Sequence, residues 1–265
     1  MDMGLKGKTV IVTGGGSNIG RGISLAFAAE GARVVIADLD EAQAKKVEAE
    51  ALKEGASSVD VIRCDVANND SVIAMVRSVE QKHGGVDVLV NNVGWVYDRL
   101  FIEKPREEWE KEINLNLWGV INCTRAVMDG MIQRKSGAVV SIGSDAGRMG
   151  EFREGVYGAC KAGVIALTKS LAREYGKYNL RFNVVCPGTT MPTSNEEISE
   201  DSMWRSSHTA AWNTPEMRER IAKAYPLRRV GTPQDVAPAV VFLASKQASF
   251  ITGQTLSASG GYSMM

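Results

Sequence analysis

Cysteine and histidine are scarce in this 265-residue chain. There are four cysteines (Cys64, Cys123, Cys160, Cys186), none in a CxxC pair, and two histidines, His83 and His208. No familiar metal-ligand spacing links them, so no metal site is expected, and a zinc enzyme or a disulfide scaffold is excluded. The thiols read as reduced and mostly buried. Net charge is also missing, because 31 Lys and Arg balance 31 Asp and Glu. Without a basic excess nothing neutralises a run of phosphates, so no nucleic-acid partner is expected. No apolar run approaches the ~18 residues that span a bilayer, and residues 10–12 are far too short for the apolar stretch of a secretion signal. The expectation is a cytoplasmic protein without a membrane partner. Hydrophobic residues at 44% suffice for a large core, and charged residues at 23% sit near the globular average, against wholesale disorder.

Short Val- and Ile-rich strands alternate with longer helices. Strands are predicted at 8–12, 33–37, 59–63, 86–90, 138–142, 181–185 and 255–257. Helices are predicted at 21–30, 41–54, 71–83, 107–134 (bent or interrupted near Gly119), 155–175 and 233–244. The last has Thr232 as N-cap and Pro233 at its first position. This alternation implies an α/β, doubly wound Rossmann-type fold: one parallel sheet of about seven strands, helices on both faces, a single domain over 1–265. Residues 189–225 break the rhythm with prolines and an acidic patch, and read as a substrate lid.

Residues 13–20, Thr-Gly-Gly-Gly-Ser-Asn-Ile-Gly, lie between the first strand and first helix. Glycine there lets the backbone approach a diphosphate, and the helix N-terminus supplies N–H groups and partial positive charge. Asp38 ends the next strand. Its carboxylate suits the two ribose hydroxyls of an adenosine and repels a 2′-phosphate, which points to NAD over NADP. A plain tight turn and a strand-end Asp are the competing reading.

Tyr157 and Lys161, four apart on one helix, share a face. A Lys cation beside a phenol lowers its pKa from ~10 toward neutrality, which makes Tyr157 a usable acid or base. Ser144, just past the fifth strand, is placed to hold a reacting oxygen beside that phenol. A surface ion-dipole pair is the competing reading of Tyr157 and Lys161 taken alone.

With these motifs, and with Cys64-Asp65-Val66, Asn91-Asn92-Val93-Gly94, Asn116-Leu117-Trp118-Gly119, Pro187-Gly188 and Ile251-Thr252-Gly253-Gln254, the chain resembles the short-chain dehydrogenase/reductase family over nearly its whole length. The resemblance implies Tyr157 as proton donor or acceptor and Ser144 as orienter of the reacting oxygen. It implies that Lys161 binds the nicotinamide ribose and that Asn116 holds a water relaying protons through Lys161. It further implies that NAD contacts Gly14, Ser17, Asn18, Ile19 and Asp38, with Asp65 and Val66 near the adenine. Asn92, Val93 and Gly94 line the cofactor, and Pro187, Gly188 and Thr190 lie at the nicotinamide. A homotetramer is implied as well. Asn18 stands where the family usually has Gly, and Asn tolerates the left-handed backbone better than most residues.

Within that family, residues 92–95, 144–146, 157–161 and 184–188 are most similar to dehydrogenases of 2-hydroxycyclohexanecarboxyl-CoA. The implied reaction oxidises a secondary alcohol, β to a thioester carbonyl, on a cyclic or aromatic acyl-CoA. The alternatives are a 3-oxoacyl carrier-protein or CoA thioester reductase, a dehydrogenase of a free cyclic alcohol or polyol, and a non-catalytic cofactor-binding subunit. Arg99, Arg148, Arg153 and Arg205 are candidates for CoA phosphates, with solvated surface charge as the competing reading. Trp95, Trp204, Trp212, Met149, Met191 and His208 are candidates for an apolar pocket, with packing as the competing reading.

Overall fold

The computed structural model describes residues 2–200, 202–205 and 214–265. Seven strands form one parallel sheet: β1 (Thr9–Thr13), β2 (Arg33–Asp38), β3 (Ser58–Arg63), β4 (Val88–Asn91), β5 (Gly137–Ile142), β6 (Leu180–Pro187) and β7 (Thr255–Ala258), in the order β3-β2-β1-β4-β5-β6-β7. The helices are α1 (Asn18–Ala29), α2 (Glu41–Glu54), α3 (Asn69–His83), α4 (Arg106–Ile113), α5 (Gly119–Arg134), α6 (Ala146–Met149), α7 (Gly155–Tyr175), α8 (Pro215–Ala222) and α9 (Pro233–Ala244).

Both faces of the central strands are covered, which is why they lack polar alternation. Val10, Val12, Val34 and Ile36 pack against Ile23 and Phe27 of α1 and Val236 and Val240 of α9. The intervening Ile11, Val35 and Ala37 pack on the opposite face against Val72 and Val76 of α3 and Val127 and Met131 of α5. This period-two division is what a strand between two helical layers requires. All four cysteines are free and buried. No described helix is long and apolar enough to cross a membrane.

Strand order reverses between β1 and β4. In an open parallel sheet this reversal leaves a crevice at the carboxyl ends of the two strands. The glycine-rich loop follows β1 and residues 92–94 follow β4, so the fold brings both to that crevice.

One element differs from expectation, and another takes a form the sequence did not specify. Helix α1 starts at Asn18, three residues early, because the Arg21 N–H already bonds the Ser17 carbonyl (3.2 Å). The long helix expected at 107–134 breaks near Gly119 as expected, and the break is one wide π-type turn, Asn114–Trp118, that ends against Gly119. Such single turns recur at functional sites, and this one carries Asn116.

Candidate active site

At the nucleotide end, backbone bonds shape the loop. Gly14 has φ +61° and donates its N–H to the Ala37 carbonyl (2.7 Å). The Asn92 amide donates to the Thr13 and Gly14 carbonyls (3.0 and 3.1 Å). A Cβ on Gly20 would stand 1.9 Å from the Gly14 carbonyl oxygen, so only glycine permits this crossing of loop and helix. Asn18 takes φ +43°, the left-handed conformation expected of it. The Asp38 carboxylate accepts the Gly16 N–H (2.9 Å) and the Asp40 N–H (3.1 Å). Burial raises its pKa, and the two N–H groups oppose that rise. Asp65 accepts the Ala67 N–H (3.0 Å), while the Val66 carbonyl is held by Asn122 (3.0 Å). This cradle of bare glycine backbone, a helix N-terminus and a strand-end carboxylate fits the diphosphate and ribose of a dinucleotide.

At the other end, Lys161 is 1% exposed, its Nζ donates to the Ile142 carbonyl (2.9 Å), and it lies 5.5 Å from the centre of the Tyr157 ring. The Ser144 hydroxyl accepts the Ala146 N–H (3.1 Å) and lies on the Tyr157 side, where it favours the phenolate. Asn116 is fully buried. Its amide donates to the carbonyls of Trp95 (2.7 Å) and Glu112 (2.9 Å), and its oxygen accepts the Trp95 N–H (3.1 Å). A Cβ on Gly94 would lie 3.1 Å from the Asn116 oxygen and 3.3 Å from the Lys161 Nζ, so a bare glycine separates the two. Pro187 ends β6. The Thr189 N–H that follows Gly188 donates to the Tyr225 hydroxyl (2.8 Å), and Thr190 bonds the Gly188 carbonyl (3.1 Å).

One expectation is reversed. The Tyr157 pKa is not lowered here. Burial raises it first, the Glu154 charge second, and the Ser144 hydroxyl opposes them. Burial also pulls the Lys161 pKa down, to about 8.

The arginines expected around a pocket are already engaged. Arg148 bonds the Ser257 hydroxyl (2.9 Å) and the Thr255 carbonyl, which ties it to β7 rather than to a ligand. Arg205 holds the Asn195 carbonyl (2.8 Å), and Arg99 pairs with Glu108 (3.3 Å) and lies over the Tyr97 ring. Arg153 lies over the exposed Phe152 ring. Met191 is buried at 1% exposure, a packing role, whereas Met149 is half exposed. The Trp95 ring lies 4.1 Å beneath the Lys111 ammonium, and Trp204 is half-buried in a turn at Met203–Arg205. Trp212 and His208 lie outside the described residues.

Sequence reasoning missed how the lid meets the nucleotide loop. The Ser199 N–H donates to the Ser17 hydroxyl (3.2 Å), and Gln43 bonds the Glu196 carbonyl (2.8 Å). Arg21 lies between Glu197 (3.2 Å) and Glu50. The acidic patch was visible in the sequence, but its arginine partner 176 positions away had no local signal. Glu154 was missed too, although its position three residues before Tyr157 was readable.

A family model described as enoyl-(acyl carrier protein) reductase matches residues 14–263. The chain is 36% identical to a 3-oxoacyl-[acyl-carrier-protein] reductase FabG of Thermotoga maritima, over 98% of this chain and 99% of that protein. It is 37% identical to one of Chlamydia muridarum, over 97% of this chain and 98% of that one. The crystal structure of gox2181 superposes with a TM-score of 0.86 at 35% identity, covering 97% of this chain and 96% of that one.

Proposed function

We propose a function from one premise: the chain belongs to the short-chain dehydrogenase/reductase family. It is an oxidoreductase, and our reading is that it interconverts a secondary alcohol and a ketone on a 3-oxoacyl or 3-hydroxyacyl thioester, with NAD(H) as cofactor. The observation that carries the reading is the meeting of Ser144, Tyr157, Lys161 and Asn116 at one end of a crevice whose other end is the glycine cradle.

The bound nicotinamide supplies the hydride acceptor or donor. In oxidation the Tyr157 oxygen takes the hydroxyl proton as hydride leaves the carbinol carbon. In reduction Tyr157 returns a proton to the ketone oxygen, and Ser144 holds that oxygen by its hydroxyl. Lys161 anchors the ribose, and its position beside Asn116 gives the Tyr157 proton a route inward. The relatives' names support the thioester and leave the nucleotide open. Asp38 supports NAD, because its carboxylate at the ribose repels a 2′-phosphate, and no Lys or Arg lies between positions 13 and 20 to hold one.

The cyclic or aromatic acyl-CoA expected from residues 92–95, 144–146, 157–161 and 184–188 is a narrower form of the same chemistry. The relatives' names favour the 3-oxoacyl alternative over it. A homotetramer is part of the proposal and is measurable by sedimentation. The test is nicotinamide absorbance with purified protein on acetoacetyl-CoA, free acetoacetate and cyclohexanone, each with NADH and with NADPH. Preferred turnover of the thioester with NADH is expected. Turnover of none of the three would overturn the reading.

A further inference from the structure

One side chain ties the two ends of the lid together. Tyr225, the last residue of the stretch 189–225, is 3% exposed. Its hydroxyl accepts the N–H of Thr189, the first residue of that stretch (2.8 Å). The Thr189 carbonyl accepts the Gly231 N–H (2.9 Å), and the Gly231 carbonyl accepts the Met191 N–H (3.0 Å). Both backbone groups of Thr189 are therefore engaged, one of them by a phenol 36 positions away. Gly188 permits the approach, because a Cβ there would stand 2.9 Å from a Tyr225 ring carbon and 3.2 Å from its hydroxyl oxygen.

A second ring backs the first. Tyr262, in the C-terminal segment, stacks on Tyr225 with ring centres 4.9 Å apart and planes at 23°. Its own hydroxyl donates to the Glu151 carboxylate (2.6 Å), on the loop between α6 and α7. The Leu227 N–H, two residues after Tyr225, donates to the Gly260 carbonyl (3.1 Å). Two tyrosines thus bracket the foot of the lid, the C-terminal segment and the loop that leads into the helix of Tyr157. A tyrosine has only two side-chain torsions to fix, so a stacked and buried one holds its hydroxyl in place at low entropic cost.

The bracket holds a loop at the reacting end of the crevice. The N–H of Asp145, the residue after Ser144, donates to the Pro187 carbonyl (3.3 Å), so residues 188–190 leave β6 beside Ser144. A dinucleotide whose diphosphate sits at residues 14–20 reaches Ser144 and Tyr157 with its nicotinamide. Residues 188–190 then border that ring and not the adenosine. A loop already fixed in its binding conformation adds affinity, because a loop that must order on binding loses that fraction of it. We propose that Tyr225 is a positioning residue: its hydroxyl fixes the backbone of residues 188–190 for the nicotinamide end of the cofactor, and the adenosine end does not depend on it. The inference rests on the proposed function above, whose cofactor it takes as given.

The test compares wild type with Tyr225→Phe, which keeps the ring and its stack on Tyr262 and removes only the hydroxyl. Calorimetric titration measures the Kd of NADH and of ADP-ribose, which has the adenosine, the diphosphate and the second ribose but no nicotinamide. In Tyr225→Phe the Thr189 N–H loses its partner, and the Kd of NADH rises about tenfold, the scale of one hydrogen bond. The Kd of ADP-ribose stays within about twofold of wild type, which also shows that the variant is folded. The kcat/KM for NADH in reduction of acetoacetyl-CoA falls by the same factor as NADH affinity. Equal weakening of both ligands makes the bond a merely structural one and overturns the inference, as does unchanged NADH binding. Either result leaves the proposed function standing. A wild type that binds neither ligand overturns the cofactor reading, and this inference with it.

Discussion

Lys161 holds an ammonium at 1% exposure with one carbonyl acceptor, and its pKa falls to about 8 because burial penalises the charged form. Tyr157 beside it is pushed up for the same reason. Both shifts favour the neutral form, so the protein without cofactor holds Tyr157 protonated through neutrality. The sign follows directly. Reduction needs the protonated phenol and should stay level from about pH 6 to 8, whereas oxidation needs the phenolate and should climb into the alkaline range. Initial rates in both directions check this, and an oxidation rate that is flat up to about pH 10 would contradict it. Spacing made Tyr157, Lys161 and Ser144 candidates, and the glycine loop, Asp38 and the family resemblance set them above a surface pair. It did not show the reversed shift, because burial and the Glu154 charge belong to the folded environment. Asp38 carries a second prediction. In Asp38→Ser the like-charge contact with a 2′-phosphate is gone, and kcat/KM for NADPH over NADH should rise on the order of 100-fold, since such contacts cost several kcal/mol. Steady-state kinetics with both nucleotides measure it.

Turns and helix ends carry the site's geometry at the next scale. Gly20 lets α1 cross the loop, and Gly20→Ala would drive a methyl to 1.9 Å from the Gly14 oxygen. The loop must shift, and NADH affinity by fluorescence titration should fall at least tenfold, while a variant at an exposed position away from the loop, Lys53→Arg in the last turn of α2, should bind normally. Helix α9 opens with a capping box in which the Asp235 carboxylate accepts the Thr232 N–H (2.8 Å) and meets Arg229 (2.5 and 2.6 Å). Asp235→Asn should cost about 1 kcal/mol in denaturant unfolding, the usual worth of such a cap. These bonds hold the Asp235 carboxyl below its ordinary value. Its contribution is therefore present above about pH 4 and is lost as pH falls toward the folded value. The gap between wild type and Asp235→Asn should be level above about pH 5 and narrow as pH falls below about 4. Thr232 and Pro233 announced this helix in the sequence. Gly119 announced the break in the helix after β4, but not its π form, since an extra residue in a turn leaves the local pattern of apolar residues helical.

The whole molecule is a sheet that places two loops at one crevice, and that much was legible. Alternating Val- and Ile-rich strands and longer helices specify a parallel sheet, and seven strands are found. Less legible was the lid. Its contacts, Ser199 to Ser17 and Glu197 to Arg21, join residues about 180 positions apart, and only the closed fold brings them together. The same is true of the buried Lys104 and Glu112 pair, which in sequence reads as two ordinary surface charges. The central claim spans all of these scales: a crevice built for a dinucleotide delivers it to Tyr157 as the proton-transferring group. Wild type and Tyr157→Phe, compared for NADH binding by fluorescence and for reduction of acetoacetyl-CoA by nicotinamide absorbance, test it most directly. The account predicts NADH binding within about threefold of wild type and turnover reduced by roughly 10²–10⁴. Turnover close to wild type in Tyr157→Phe would contradict it.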